Sequence, residues 1–169
     1  MTSAVLLPDW VGADAAPEFT ECARRGHLCW RGMKVPPAAA GTAETQEVRR
    51  PRSMTLELSR ACDAWFEVRF GWRARSDHAL FVTGAREQAA QFGTPVIVVP
   101  LKTARFLWSP RVRDLTRHLS DAGITAAVGV PPILEAGDYR DQDLGAATAS
   151  GHEIMVRCER YYWSAVPIG

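Results

Sequence analysis

The sequence predicts an α+β domain, and three observations carry that prediction. Short apolar runs at residues 79–83, 96–101 and 154–166 are rich in Val, Ile, Leu and aromatics and read as strands. Residues 58–70 instead repeat apolar side chains (Leu58, Cys62, Trp65, Phe66, Phe70) at helical spacing. The two patterns do not alternate as strict strand–helix–strand units, which argues against a doubly wound parallel sheet. A length of 169 residues is that of one domain able to bury a core without staples, so residues 1–169 are read as a single domain.

Taken in order, residues 1–25 are weakly patterned, broken by Pro8, Gly12 and Pro17, and are expected to lie irregularly over the surface. Residues 27–33 (HLCWRGM) read as a short buried strand. Residues 36–52, rich in Ala, Thr and Pro and ending in Arg49-Arg50-Pro51-Arg52, show no periodicity and are expected to be an irregular loop. Ser53 or Thr55 caps the helix that follows, which Gly71 closes. A strand over 79–83 turns at Gly84 into a helix over 85–92, ended by Gly93 and Pro95.

Residues 96–101 predict a central strand and residues 104–108 another. Ser109-Pro110 predicts the start of a helix whose apolar face carries Val112, Leu115 and Leu119. Residues 123–151 are mostly Gly, Ala, Pro and Asp, with short elements expected near 124–130 and 139–144. Residues 154–166 close the chain as one or two strands, with Ile154, Val156 and Cys158 facing inward.

Composition excludes several classes. A net charge of +1 argues against a general polyanion binder, so nucleic acid is not the expected partner. No C-x-x-C pair occurs, and the spacing of Cys22, His27 and Cys29 matches no common zinc pattern, so no metal site is expected. The start does not read as a signal peptide, and the most apolar stretch, residues 95–101, is too short to span a bilayer. A cytoplasmic, reducing setting without membrane contact is the expectation.

A handful of residues have chemistry to offer. Arg31 stands between Trp30 and Gly32 in an apolar strand, and guanidinium is the favoured partner of phosphate because its planar fork donates two parallel hydrogen bonds. It would equally serve as an outward-facing edge residue or the partner of a core acid. Gly32 would let a ligand approach the backbone. Glu153 opens the last apolar segment, where a carboxylate can accept from a ribose hydroxyl and stabilise an oxocarbenium-like cation; a solvated acid at a strand end is the plainer role. Ser76 and Thr83 offer hydroxyls able to orient an acid or bind a ribose, and Thr83 before Gly84 fits a capping role too. Trp30 and Phe92 offer faces for an aromatic ring, or core packing. The 49–52 run reads as a solvated loop, with phosphate or a protein partner as other uses.

Trp30-Arg31-Gly32-Met33, then Leu80-Phe81-Val82-Thr83-Gly84 followed by Ala89-Ala90-Gln91-Phe92-Gly93, then Gly151-His152-Glu153-Ile154-Met155 together resemble the ADP-ribosyltransferase superfamily, whose members include bacterial toxins, injected effectors and phage enzymes. The resemblance spans roughly residues 26–164. It implies split β-sheets packed with a few helices, and NAD as a substrate. It assigns NAD contact to Arg31 and the catalytic glutamate to Glu153, with Gly32, Ser76, Thr83, Phe92 and Trp30 lining the NAD site. It further implies transfer of ADP-ribose to a macromolecular acceptor, a protein target, in the cell's own cytoplasm or that of a target cell. The chain departs from the arginine-modifying branch in two places: Phe81-Val82-Thr83 replaces Ser-Thr-Ser, and Gly151 stands two residues before Glu153 where an acid or glutamine is usual. These departures leave open a catalytically degenerate relative that binds a protein partner. Under the catalytic role, Glu153→Gln is expected to stop the chemistry with little effect on melting temperature.

Overall fold

The computed structural model of the chain describes residues 7–34 and 36–165, whose helices and strands are of the expected α+β kind. Among the described residues, the strands are β1 (Cys29–Met33), β2 (Ala40–Glu44), β3 (Ala79–Thr83), β4 (Thr94–Pro100), β5 (Arg105–Trp108), β6 (Glu153–Arg157) and β7 (Arg160–Ser164). They make a seven-stranded sheet in the order β2-β7-β4-β1-β3-β6-β5, and every pairing is antiparallel. The helices are α1 (Asp9–Asp14), α2 (Pro17–Arg24), α3 (Leu56–Phe70), α4 (Arg86–Ala90), α5 (Leu115–Asp121), α6 (Val130–Ala136) and α7 (Leu144–Ser150).

The sheet is nearly divided. The pair β1–β3 is joined through one register pair, Trp30↔Thr83, whereas β1–β4 and β3–β6 each run through full ladders. A half made of β2, β7, β4 and β1 thus meets a half made of β3, β6 and β5 at a narrow seam. Beyond that pair no further β1–β3 ladder forms, and each strand is laddered on its other side, β1 to β4 and β3 to β6.

One cluster packs Phe19 of α2 and Leu144 and Ala147 of α7 on Leu80, Val82, Val96, Val98, Ile154 and Val156 of the sheet. A second sets Leu58, Cys62 and Phe66 of α3 with Leu115 and Leu119 of α5 and Leu134 of α6 over Leu107 and Met155. Because both faces are covered, Met155 is as buried as the expected inward set Ile154, Val156 and Cys158.

Several expected elements hold. The strand expected over 79–83 is β3, and 96–101 falls within β4, an interior strand. Thr55 caps α3 by accepting from the Leu58 N–H at 3.3 Å, and Gly71 closes it in the left-handed conformation (φ 84°).

Others need correction. Residues 1–25 are not irregular over their described part. They contain α1 and α2, each too short to show periodicity, whose Val11, Phe19 and Ala23 become buried on the sheet. Residues 36–52 are not wholly loop: β2 lies among them and pairs with β7 as an edge strand. Its Ala-Gly-Thr-Ala-Glu composition lacks strand-forming side chains, and Gly41 instead lets the Trp163 ring lie against the backbone.

The helix expected from Ser109-Pro110 begins later, at Leu115, capped by Asp114, whose carboxylate accepts from the Arg117 N–H at 3.0 Å. The Ser109 hydroxyl is spent on a tight turn, accepting from the Val112 N–H at 2.8 Å and donating to the Gly137 carbonyl. Residues 123–151 carry a short 3-10 turn at Ala127–Gly129, within the span expected near 124–130, and an isolated bridge from Arg140 to Trp108 within 139–144; α6, which has proline in its first turn, and α7, capped by Asp143, were not expected.

Candidate functional site

A cavity of about 670 Å³ opens beside the seam between the two halves of the sheet. Trp30, Arg31 and Gly32 of β1, Phe81 and Thr83 of β3, Phe92 after α4 and Glu153 of β6 line it. These come from well-separated stretches of chain, and antiparallel pairing is what unites them: Thr83 is the register partner of both Trp30 and Glu153. Its size lies within the range of small-molecule sites. Much of the rest of the lining comes from Arg49 and the 51–55 segment, from Leu58 and Ser59 of α3, and from Arg113, Asp114 and part of α5.

Glu153 is held by Arg75. The Arg75 Nη1 donates to Glu153 Oε1 at 2.8 Å, with the two side chains 6% and 17% exposed. Burial is the largest influence and works against the Arg75 cation, but Glu153, Cys62 and Tyr139 together outweigh it and raise the guanidinium above its ordinary range. The second carboxylate oxygen of Glu153 has no donor among the described residues. Arg75 is itself positioned by Asp63 of α3, whose Oδ1 accepts from the Arg75 backbone N–H at 2.7 Å and whose Oδ2 accepts from the Ser76 hydroxyl at 2.6 Å. Burial raises the Asp63 carboxyl, and those two hydrogen bonds offset part of the rise.

Arg31 lies 5.8 Å over the Tyr161 ring and has no carboxylate within ion-pair distance among the described residues. Arg49 behaves unlike a solvated loop residue. It is half-buried, and its guanidinium stacks 4.2 Å from the centroid of Phe81, the same ring that Arg75 approaches at 4.2 Å. Burial, then the charges of Arg75, Arg52 and Arg31, push the Arg49 guanidinium down to about 10. Arg52, Arg113 and Arg117 also line the cavity.

The other expected site residues fall differently. Gly32 does admit a close approach, but by protein: a Cβ there would sit 2.5 Å from the Ala89 carbonyl and 2.8 Å from the Phe92 Cβ. Its missing side chain seats the end of α4. Thr83 makes a turn rather than a helix cap: its hydroxyl donates to the Gly151 carbonyl at 2.8 Å and accepts from the Ala85 N–H at 3.1 Å, while α4 itself starts without a side-chain cap. Ser76 does not reach this cavity; its hydroxyl is committed to Asp63, and it lines a separate cleft beside Arg60 and Arg73. Phe92 is 65% exposed and is no core residue. Trp30 is partly buried, with Arg86 5.7 Å from its ring.

Sequence reasoning missed Arg75 and gave Arg49 only within a run read as a solvated loop, with phosphate as another use. Arg75 precedes Ser76, and nothing in its local pattern marks it as buried. Arg49 lies in a run whose composition reads as surface, and only the packing of that run against Phe81 distinguishes it.

No family model, curated protein or solved structure matches this chain. Among the described residues, no helix is long and apolar enough to cross a membrane.

Proposed function

We propose that the protein cleaves NAD and transfers ADP-ribose to a protein acceptor, with NAD bound in the cavity at the sheet seam. The observation that carries this reading is the convergence there of Arg31, Trp30, Thr83, Phe92 and Glu153 on one cavity. The division of the sheet at one register pair supports an ADP-ribosyltransferase-like split architecture.

In this reading Arg31 holds the diphosphate, and the exposed Phe92 ring or Trp30 packs on nicotinamide. The free oxygen of Glu153 accepts from a hydroxyl of the nicotinamide ribose, and its charge favours the cation that develops at the anomeric carbon. The bond between nicotinamide and ribose breaks with both electrons leaving on nicotinamide. A nucleophile of the acceptor then attacks the anomeric carbon and gives up its proton. Because Arg75 fixes one carboxylate oxygen, the other is pre-aimed and costs no reorganisation at the moment of reaction.

The same ion pair favours a second reading, in which Glu153 is a structural partner of Arg75 and the protein binds a ligand or protein partner without chemistry. Gly151, where an acid or glutamine is usual in the arginine-modifying branch, fits that reading too.

The two are separated by incubating purified protein with NAD and a cell lysate that supplies acceptors, and measuring released nicotinamide over a lysate-only control, well below the melting temperature of each variant. The transferase releases nicotinamide, and Glu153→Gln lowers the rate by orders of magnitude. Equal release by wild type and Glu153→Gln removes the catalytic role of Glu153. NAD binding without release establishes the second reading.

A further inference from the structure

We infer that Arg49, together with Arg31 and Arg52, forms a binding site for a diphosphate, two linked phosphoryl groups, in the seam cavity beside Phe81. The naming of NAD as ligand rests on the reaction proposed above; the anion site stands on the charges alone.

The cavity lining holds more cations than carboxylates. Arg31, Arg49, Arg52, Arg75, Arg113 and Arg117 line it, against the carboxylates of Glu153 and Asp114. Both carboxylates are committed. Glu153 is paired with Arg75, and Asp114 caps α5. Arg117 has a partner elsewhere, 3.8 Å from Asp121. Arg31, Arg49 and Arg52 have no ion-pair partner among the described residues.

Arg49 is also held in place. Its N–H donates to the Ser76 carbonyl at 2.8 Å, and Val48 forms an antiparallel bridge with Asp77, so the segment is tied to the turn that leads into β3. Stacking on Phe81 fixes the plane of the guanidinium. A half-buried cation placed beside other cations, without a carboxylate partner, weakens the empty protein. The depression of Arg49 by burial and by Arg75, Arg52 and Arg31 is the signature of that cost. A bound anion removes it.

The class of anion follows from geometry. Each guanidinium fork matches two oxygens of a phosphoryl group, so two or more free forks call for two linked phosphoryl groups rather than one carboxylate. The cavity is roomy enough for groups attached at both ends of such a diphosphate. Neutral nucleosides would gain none of these contacts.

The test uses inorganic pyrophosphate as the probe, by titration calorimetry, on the full chain. Wild type binds it. Arg49→Gln, still folded by circular dichroism, binds it about ten- to a hundredfold more weakly, since one charge-assisted contact is worth that factor. Without ligand, Arg49→Gln melts at a higher temperature than wild type, because the unpaired cation is gone. Arg50→Gln, on the exposed neighbour outside this cavity, binds pyrophosphate as wild type does. Absence of pyrophosphate binding in wild type, or equal affinity in Arg49→Gln, overturns the inference. Pyrophosphate binding lost in Arg49→Gln, with no nicotinamide released from NAD, keeps the anion site and removes the proposed reaction. Nicotinamide release with pyrophosphate affinity unaffected by Arg49→Gln does the reverse.

Discussion

Replacing Glu153 by glutamine should cost the fold as well as any chemistry, and the cost can be worked from the ion pair. Arg75 is 6% exposed and its guanidinium donates to Glu153 Oε1 at 2.8 Å. Removing one partner of a buried pair strands the other charge, at about 3–5 kcal/mol. Glutamine keeps an acceptor oxygen for Arg75, and a hydrogen bond to a charged group is worth roughly 1.5–3 kcal/mol. The net loss expected for Glu153→Gln is therefore about 2 kcal/mol, and for Glu153→Ala about 3–5 kcal/mol. In a domain of this size each kcal/mol moves the melting temperature by about 2–4 °C, so Glu153→Gln should melt roughly 4–8 °C lower.

The burial of Arg75 thus overturns the expectation from the sequence that the melting temperature barely moves. Scanning calorimetry on Glu153→Gln, Arg75→Gln and the double variant measures the coupling directly. The double variant should be more stable than the sum of the two single losses implies, since neither charge is stranded in it. Losses that add within about 0.5 kcal/mol would show that the pair is not energetically coupled and would refute the reasoning.

Phe92→Leu should stay folded with little change in melting temperature, because a ring that is 65% exposed has little core packing to lose; nicotinamide release should fall if the ring packs on the substrate. A loss approaching the roughly 3–5 kcal/mol of a core phenylalanine truncation would return Phe92 to the core. Gly84→Ala should be strongly destabilising. A Cβ there would lie 1.8 Å from the Thr148 carbonyl oxygen, so α7 must move off the β3–α4 turn. Overpacking of this kind costs about 1–3 kcal/mol, and an unchanged melting curve would mean the turn yields freely.

Much of the fold was legible because its signals are local. β3 shows as an unbroken apolar run, and α3 carries its own N-cap in Thr55 and its own stop in Gly71. β2 and the short helices α1, α2, α6 and α7 were not legible. They are too short or too plain in composition to declare a period, and they are held by what they pack on, as Phe19 is by the sheet and Gly41 by Trp163.

The site divides along the same line. The sequence by itself picked out Arg31, Thr83 and Glu153, since a charged or hydroxyl residue at the edge of an apolar strand is visible in one dimension. It could not say that Thr83 would make a turn, that Ser76 would spend its hydroxyl on Asp63, or that Gly32 would seat α4. Nor could it find Arg75, or tell that Arg49, alone of the arginines in its run, lies half-buried against Phe81. Whether an arginine is solvated, paired or stored as an unneutralised charge depends on the groups brought to it from distant parts of the chain. Tertiary structure alone brought Glu153 to Arg75 across the sheet and laid Arg49 on Phe81, and electrostatic interactions sense those spatial distances, not separation along the sequence.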